Sequence, residues 1–420
     1  MKKSLFLALI PMTALLGVAG CDEGYSDAVF YELRTDPMKV GNKIEIEPTD
    51  PDRPGQLPLL KISDLDNPHN PYYAKHKENN LVEDGRFRDP MQASSTDRAA
   101  MKKALDEFFG TPAKPKAGPM ETEDRELLKL SDESLAKGSK LYRIQCLHCH
   151  GVTGDGRGPT GRWVNPHPRD YRQSVFKFQS VDQSKARTPH RNDLLRILEN
   201  GVEGTAMPSF ALLSQDDREN LVSYVIHLSL RGVTEFKLFE KSFDYDKATH
   251  SLKFIDKTSM KESAKQWYDS WVKEWVKSQA EESLIKVGAY SIKEDDPDYM
   301  EKFKASVLRG KMIFEDPPEE IKKKIGANAC LSCHKEYGRR STYRQDSWGT
   351  FSKPNNLTQG VYRGGRRPVD IYYRIHSGID PSGMIAFGEF FRPDQLWDVV
   401  NFVKVLGNPN MRRQMGIFVD

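Results

Sequence analysis

The chain has 420 residues, 38% hydrophobic and 29% charged, with a formal net charge of +3. That length suggests two or three domains, and the composition supports small cores but excludes a membrane-embedded protein. So small a charge gives no electrostatic case for nucleic acid, and no nucleic-acid partner is expected.

Lys2 and Lys3 precede an apolar run from Leu5 to Leu16, followed by the small residues Val18, Ala19 and Gly20 and then Cys21. This order predicts an export signal over residues 1–20. The run is shorter than the roughly 20 residues that span a bilayer, and Pro11 interrupts it. An uncleaved membrane helix is the alternative. Cys21 after Ala19-Gly20 resembles the lipobox of bacterial lipoproteins. That resemblance implies an acylated Cys21 as the new N-terminus and lipid anchor, and an exported protein on the periplasmic side of a membrane.

Residues 21–118 are expected to form an N-terminal arm or tether, polar and punctuated by Pro48, Pro51, Pro54, Pro68 and Pro71. Residues 22–110 carry 18 acidic against 12 basic side chains. One short helix is predicted near Arg98–Phe109. Such a segment can wrap the body, dock on a larger complex or simply tether.

The first folded unit is assigned to residues 119–232. A helical pattern over Leu135–Tyr142 leads into Cys146-Leu147-His148-Cys149-His150. Met207 follows in the turn Gly204-Thr205-Ala206-Met207-Pro208. A helix over 215–230 then places Leu221, Val222, Val225 and Leu228 on one stripe. A helical linker spans 233–302, where Trp267, Trp271 and Trp275 share one helical face. They are expected to pack between the folded units or to meet a partner.

The second unit covers 303–412, with a tail at 413–420. Gly310 precedes Phe314 by four residues, as Gly138 precedes Tyr142, which allows close helix crossing. About a dozen residues, Glu315 to Asn328, are inserted before Cys330-Leu331-Ser332-Cys333-His334. Met384 sits in Pro381-Ser382-Gly383-Met384-Ile385, and a closing helix carries Leu396, Val399, Val400, Phe402 and Val403.

All five cysteines are thereby assigned. Cys-x-x-Cys-His is the attachment signature of c-type haem. Two thiols three residues apart reach the two vinyl groups on one porphyrin edge, and the adjacent histidine falls beneath the iron. Two covalently bound haem c groups are expected, at Cys146/Cys149 and Cys330/Cys333, with His150 and His334 as iron ligands. A zinc site from the four cysteines and redox dithiols or disulfides are the alternatives, and both leave the adjacent histidines unexplained. Met207 and Met384 are the candidate sixth ligands, with His190 and His376 as rivals. The halves align at an offset of 177, which pairs Asp193 with Asp370, Gly201 with Gly378, Met207 with Met384 and Phe210 with Phe387. The cysteine offset is 184. This marks an internal duplication.

Each half resembles a class I cytochrome c domain, over roughly residues 130–232 and 304–408. The resemblance implies an all-α fold of two tandem class I cytochrome c domains plus an irregular N-terminal arm. Gly151, Gly154, Gly156, Gly158 and Pro159 resemble the family's glycine-rich loop, in which a proline carbonyl holds the proximal histidine. That implies Pro159 for His150. His334 is followed instead by Lys335-Glu336-Tyr337-Gly338, which leaves its support unassigned. The implied function is electron transfer in a respiratory chain. The expected partners are redox proteins: a membrane dehydrogenase or quinol-oxidising complex, and a terminal oxidase. The set is similar to the membrane-anchored cytochrome c subunits of bacterial respiratory complexes, including those of alternative complex III. Arg169, Arg172, Arg366 and Arg367 are candidates for balancing haem propionates or steering an acidic partner. A dihaem peroxidase is the alternative, and it needs an open iron site that two bound methionines would close.

Overall fold

The computed structural model describes residues 24–36, 38–39, 87–246, 248–249, 251–325, 330–341, 344–345, 351–380 and 382–419. The expected signal at 1–20, the Cys21 anchor and the proline-rich part of the arm lie outside these residues.

The elements in chain order are β1 (Met38–Lys39), β2 (Phe87–Arg88), α1 (Ser95–Phe109), α2 (Thr122–Leu127), α3 (Asp132–Gln145), α4 (Leu147–His150), α5 (Arg191–Asn200) and α6 (Gln215–Lys237). Then come β3 (Phe243–Asp246), β4 (Ser251–Phe254), α7 (Met260–Ser278), α8 (Tyr299–Glu315), α9 (Glu319–Ile325) and α10 (Cys330–Cys333). The chain ends with β5 (Arg344–Gln345), β6 (Phe351–Ser352), α11 (Pro368–Ser377), α12 (Pro393–Leu406) and α13 (Pro409–Met415). The described fold is mostly helical. Its strands form three antiparallel two-stranded ribbons, β1–β2, β3–β4 and β5–β6.

The helix starts are written locally. Ser94, Ser131 and Ser214 each accept a bond from the N3 backbone N–H of α1, α3 and α6, and Ser259 with Glu262 forms a capping box on α7.

Two helix crossings organise the molecule: α3 on α6, and α8 on α12. At the first, a Cβ on Gly138 would lie 2.2 Å from the carbonyl oxygen of Asn220, and at the second a Cβ on Gly310 would lie 2.0 Å from that of Asp398. A helical glycine costs about 1 kcal/mol relative to alanine. Here it permits the backbones to touch. One turn on, the aromatic pairs repeat: Tyr142 meets Tyr224 with ring centroids 5.2 Å apart, and Phe314 meets Phe402 at 5.5 Å.

The buried apolar residues fall into two cores. One runs from Tyr31 to Trp275 in sequence, the other from Ile285 to Ile417. Trp271 and Trp275 belong to the first core, and Trp267 packs against it. The tryptophan helix α7 therefore packs with α1 and α6 rather than between the two units. Trp275 is fully buried and donates its indole N–H to Ser174 at 3.0 Å, so the ring brings no unpaired donor into the core.

Residues 24–36 lie along α6. Tyr31 is fully buried, its hydroxyl 2.8 Å from that of Tyr224 and 3.1 Å from Nε2 of His227. Arg231 donates to the Tyr31 carbonyl at 3.1 Å and pairs with Glu235 at 3.2 Å. Charged groups with so little water access persist because each is paired.

Candidate functional site

The two Cys-x-x-Cys-His segments fold the same way locally. In each, the histidine N–H bonds back to the carbonyl of the first cysteine, His150 to Cys146 at 2.9 Å and His334 to Cys330 at 2.8 Å. This single helical turn, α4 or α10, brings the two cysteines onto one side and sets the histidine beside them. None of the four thiols forms a disulfide. Burial pushes the Cys146 and Cys330 thiols up to about 12.

Each imidazole is fixed through Nδ1. His150 Nδ1 lies 3.1 Å from the carbonyl oxygen of Arg169, and His334 Nδ1 lies 3.2 Å from that of Asn355. A carbonyl can only accept, so Nδ1 carries the proton and Nε2 keeps its lone pair. The carbonyl holding His150 thus belongs to Arg169, which corrects the expectation of Pro159. The support of His334, left unassigned by the sequence, is its counterpart. Both acceptors follow a proline, Pro168 or Pro354, and precede an Asx turn. Asp170 accepts from the Arg172 N–H at 2.9 Å and Asn356 from the Thr358 N–H at 3.1 Å. The signal was present as Pro-x-Asx at an offset of 186, close to that of the cysteines. Burial lowers the His150 imidazole to about 4 and also lowers His334, so both rings are held neutral.

The surroundings then diverge. Tyr171 stacks on His150, with centroids 4.8 Å apart and planes 17° apart. The corresponding residue of the second unit is Leu357. After His150, Gly151 runs at φ +74°, where a Cβ would meet Asp155 at 2.2 Å, and its carbonyl accepts from the Tyr142 hydroxyl at 3.0 Å. After His334, Glu336 and Tyr337 occupy left-handed backbone at φ +48° and +58°. The Tyr337 ring lies 6.1 Å from both Phe314 and Phe402, and its hydroxyl donates to Glu315. Those contacts offset the cost of a non-glycine residue there, on the order of 1 kcal/mol.

The methionine loops match closely. Val202 N–H donates to the Met207 carbonyl at 3.1 Å, and Ile379 N–H to that of Met384 at 2.9 Å. Phe210 N–H bonds to Leu198 at 2.7 Å, and Phe387 N–H to Ile375 at 3.0 Å. Gly201 (φ +67°) and Gly378 (φ +71°) leave room for the methionine carbonyls, which would sit 2.7 and 2.4 Å from a Cβ. Ile385 in place of Pro208 leaves this frame intact.

All eight predicted haem-site side chains line one cavity of about 600 Å³. Cys146, Cys149, His150 and Met207 line it from the first unit; Cys330, Cys333, His334 and Met384 line it from the second. The walls between them are mainly apolar and repeat in kind, with Leu198, Phe210 and Val225 in the first unit and Ile375, Phe387 and Val403 in the second. His190 and His376 do not line the cavity. His190 caps α5, accepting from the Asn192 N–H at 3.1 Å, and His376 packs over Gly388.

The arginines sort differently from the sequence expectation. Arg172 is buried in an ion-pair cluster with Asp170 at 2.8 Å and Asp36 at 3.1 Å. Arg366 pairs with Glu203, and Arg367 with Asp370 at 2.8 Å. Of the four, only Arg169 lines the cavity. Arg363 and Arg374 also line it and were not singled out by sequence. Arg374 donates to the carbonyls of Arg363 at 3.0 Å and Gly365 at 2.7 Å, and burial brings it down to about 10.

This donor set fits haem: paired thiols, a neutral imidazole with Nε2 free, a thioether in the same chamber, apolar walls, and guanidinium groups to balance acid side arms.

Residues 133–225 match the family model described as cytochrome c oxidase, cbb3-type, subunit III. The match runs from α3 into the first half of α6, with the first Cys-x-x-Cys-His segment and Met207, and gives the chain a cytochrome c domain there. Such a domain binds haem c covalently and transfers electrons. A chain of the reducing HAO-like protein complex of Kuenenia stuttgartiensis superposes with a TM-score of 0.43 at 20% identity, covering 65% of this chain and 96% of its own. No curated protein matches the chain significantly.

Proposed function

We propose that the protein is an exported, lipid-anchored dihaem c-type cytochrome that carries electrons in a respiratory chain. In this reading it accepts them from a membrane dehydrogenase or quinol-oxidising complex and passes them towards a terminal oxidase. The observation that carries the two-haem reading is the repetition of one complete site: a carbonyl-fixed histidine, a cysteine pair and a clamped methionine, twice, on the walls of one cavity.

When bound, haem iron supplies a one-electron Fe(II)/Fe(III) couple, and thioether ligation favours the ferrous state. The protein's part is to hold and shield. The Arg169 and Asn355 carbonyls keep Nδ1 protonated and leave Nε2 of His150 and His334 as the atoms that would hold the metal. The Gly201 and Gly378 turns shape the loops from which Met207 and Met384 would ligate the iron. The apolar walls exclude water, so little solvent reorganises when charge changes. With both methionines ligating, no open position would be left for peroxide, which favours a carrier over an enzyme.

The anchor at Cys21 rests on the leader and lipobox pattern. Among the described residues no helix is long and apolar enough to cross a membrane; acylation of Cys21 would supply the proposed membrane attachment.

The test is haem counting on the purified, exported chain by denaturing haem stain, intact mass and the pyridine haemochrome spectrum. Two covalent haems per chain are expected. Replacing Cys146 and Cys149 by serine, or Cys330 and Cys333, should leave one. A wild-type chain with a single haem would reject the dihaem reading. A Cys21→Ser chain recovered in the membrane fraction as fully as wild type would reject the anchor.

A further inference from the structure

The duplicated sites are not two pockets. They open into one chamber, and the contacts closing it come from both units. Gly204, three residues before Met207, has no side chain where Val361 of the second unit approaches; a Cβ there would lie 2.7 Å from Val361 Cγ1. Reciprocally, Gly364 has none where Phe178 of the first unit approaches, and its Cβ would lie 2.4 Å from Phe178 Cδ1. Phe178 itself lines the chamber. Around this seam the units are tied by polar contacts. Arg366 pairs with Glu203, Arg196 reaches Asp370 at 3.6 Å, and the Ser377 hydroxyl donates to the Val181 carbonyl at 3.0 Å.

Tethering alone would not require any of this. Two independent carriers on one chain need only a linker, and a wall of side chains between them would do no harm. Here both facing loops carry a glycine at positive φ, +71° at Gly204 and +83° at Gly364, and both use the missing side chain to admit the other unit.

We infer that the two haem positions form one coupled pair, with direct electron exchange across the shared chamber, and that the Gly204/Val361 and Gly364/Phe178 contacts are the positioning device that sets their approach. The inference rests on the two-haem reading. In the exchange one centre is oxidised and the other reduced by the same electron. No bond breaks and no co-reactant is needed. The functional consequence is a through-molecule relay: an electron can enter at one unit's surface and leave at the other's.

Circular dichroism in the Soret region of the full-length, fully loaded protein reads this directly, because two nearby haem transitions couple into a bisignate band. Haem content is counted first, so failure of the two-haem reading is seen separately, as fewer than two haems per chain. With two haems present, a bisignate band is expected, collapsing to a single-signed band in the Cys330→Ser/Cys333→Ser variant. A simple band in the two-haem wild type would overturn the inference, and so would a bisignate band that survives in the one-haem variant. Gly364→Ala, which forces Phe178 away, should retain both haems and weaken the couplet. An unchanged couplet in that variant would remove the glycine contacts from the mechanism.

Discussion

Asp193 and Asp370 occupy the same place in the two repeats, and the single guanidinium of Arg196 reaches both, at 3.2 Å and 3.6 Å. Both carboxylates are buried. Asp193 also accepts from the Ser180 N–H and hydroxyl at 2.9 and 3.1 Å, and Asp370 pairs with Arg367. The two equivalent acids thus share one cation between the halves. Arg196→Gln removes the shared cation while those other partners remain. Breaking a buried pair outright costs about 3–5 kcal/mol, and the remaining partners bring the expected loss to about 1–3 kcal/mol in denaturant unfolding. A double-mutant cycle with Asp370→Asn should show strong coupling. Additive single effects would mean that Arg196 does not link the repeats.

Gly138→Ala and Gly310→Ala run against helix propensity. On an open helix either change would stabilise by about 1 kcal/mol. Here the new methyl carbon would sit 2.2 or 2.0 Å from a carbonyl oxygen of the partner helix. Backbone cannot yield as a flexible side chain does, so overpacking prevails, at about 1–3 kcal/mol of net destabilisation. Urea midpoints that fall for both variants with an unchanged slope are the expected result. A raised midpoint would mean that the crossings relax freely.

These glycines were legible in the sequence because the fold leaves a side-chain trace there, a glycine one turn before an aromatic, twice. The cysteines, histidines and methionines were legible for the same reason. The carbonyls of Arg169 and Asn355 were not, because a backbone acceptor has no residue type of its own; only the surrounding Pro-x-Asx pattern marks it. The apolar face of α7 was visible from its tryptophan spacing, but period alone does not name the partner, and the helix lies on the first core. In sequence Arg172 is a candidate for a haem propionate or an acidic partner; its actual partner Asp36 lies 136 residues away in the chain, where no local pattern points. Segment 24–36 has no period at all. Its burial depends on long-range partners on α6 that no local pattern encodes.

Met384 and His376 can be separated by substitution. Met384 lines the cavity on a loop built like that of Met207, whereas His376 packs over Gly388 outside it. Met384→Ala should abolish the methionine–iron charge-transfer band of one of the two proposed haems and lower that haem's potential, since thioether ligation favours the ferrous state. His376→Ala should leave band and potential unchanged. The opposite pattern would transfer the ligand role to His376.

His227 makes the stability of the first core pH-dependent. Its ring is fully buried between Tyr31, Tyr224 and Phe109, and burial, followed by the nearby Arg231 charge, lowers it to about 3. The unfolded chain takes up this proton near pH 6.5; the folded chain resists until about pH 3. Protonation therefore favours the unfolded state throughout that window. The contribution is complete above pH 6.5 and is lost as pH falls, by about 4 kcal/mol at pH 3 if His227 acted alone. His227→Gln keeps a polar partner for the Tyr31 hydroxyl and cannot titrate. It should be less stable than wild type at pH 7.5, by about 1 kcal/mol for the altered hydrogen bond, yet should lose less stability on acidification. Unfolding free energies for both chains at pH 7.5, 6.0 and 4.5 decide the matter. Parallel pH profiles would mean that other groups carry the acid sensitivity and that the buried imidazole contributes packing alone.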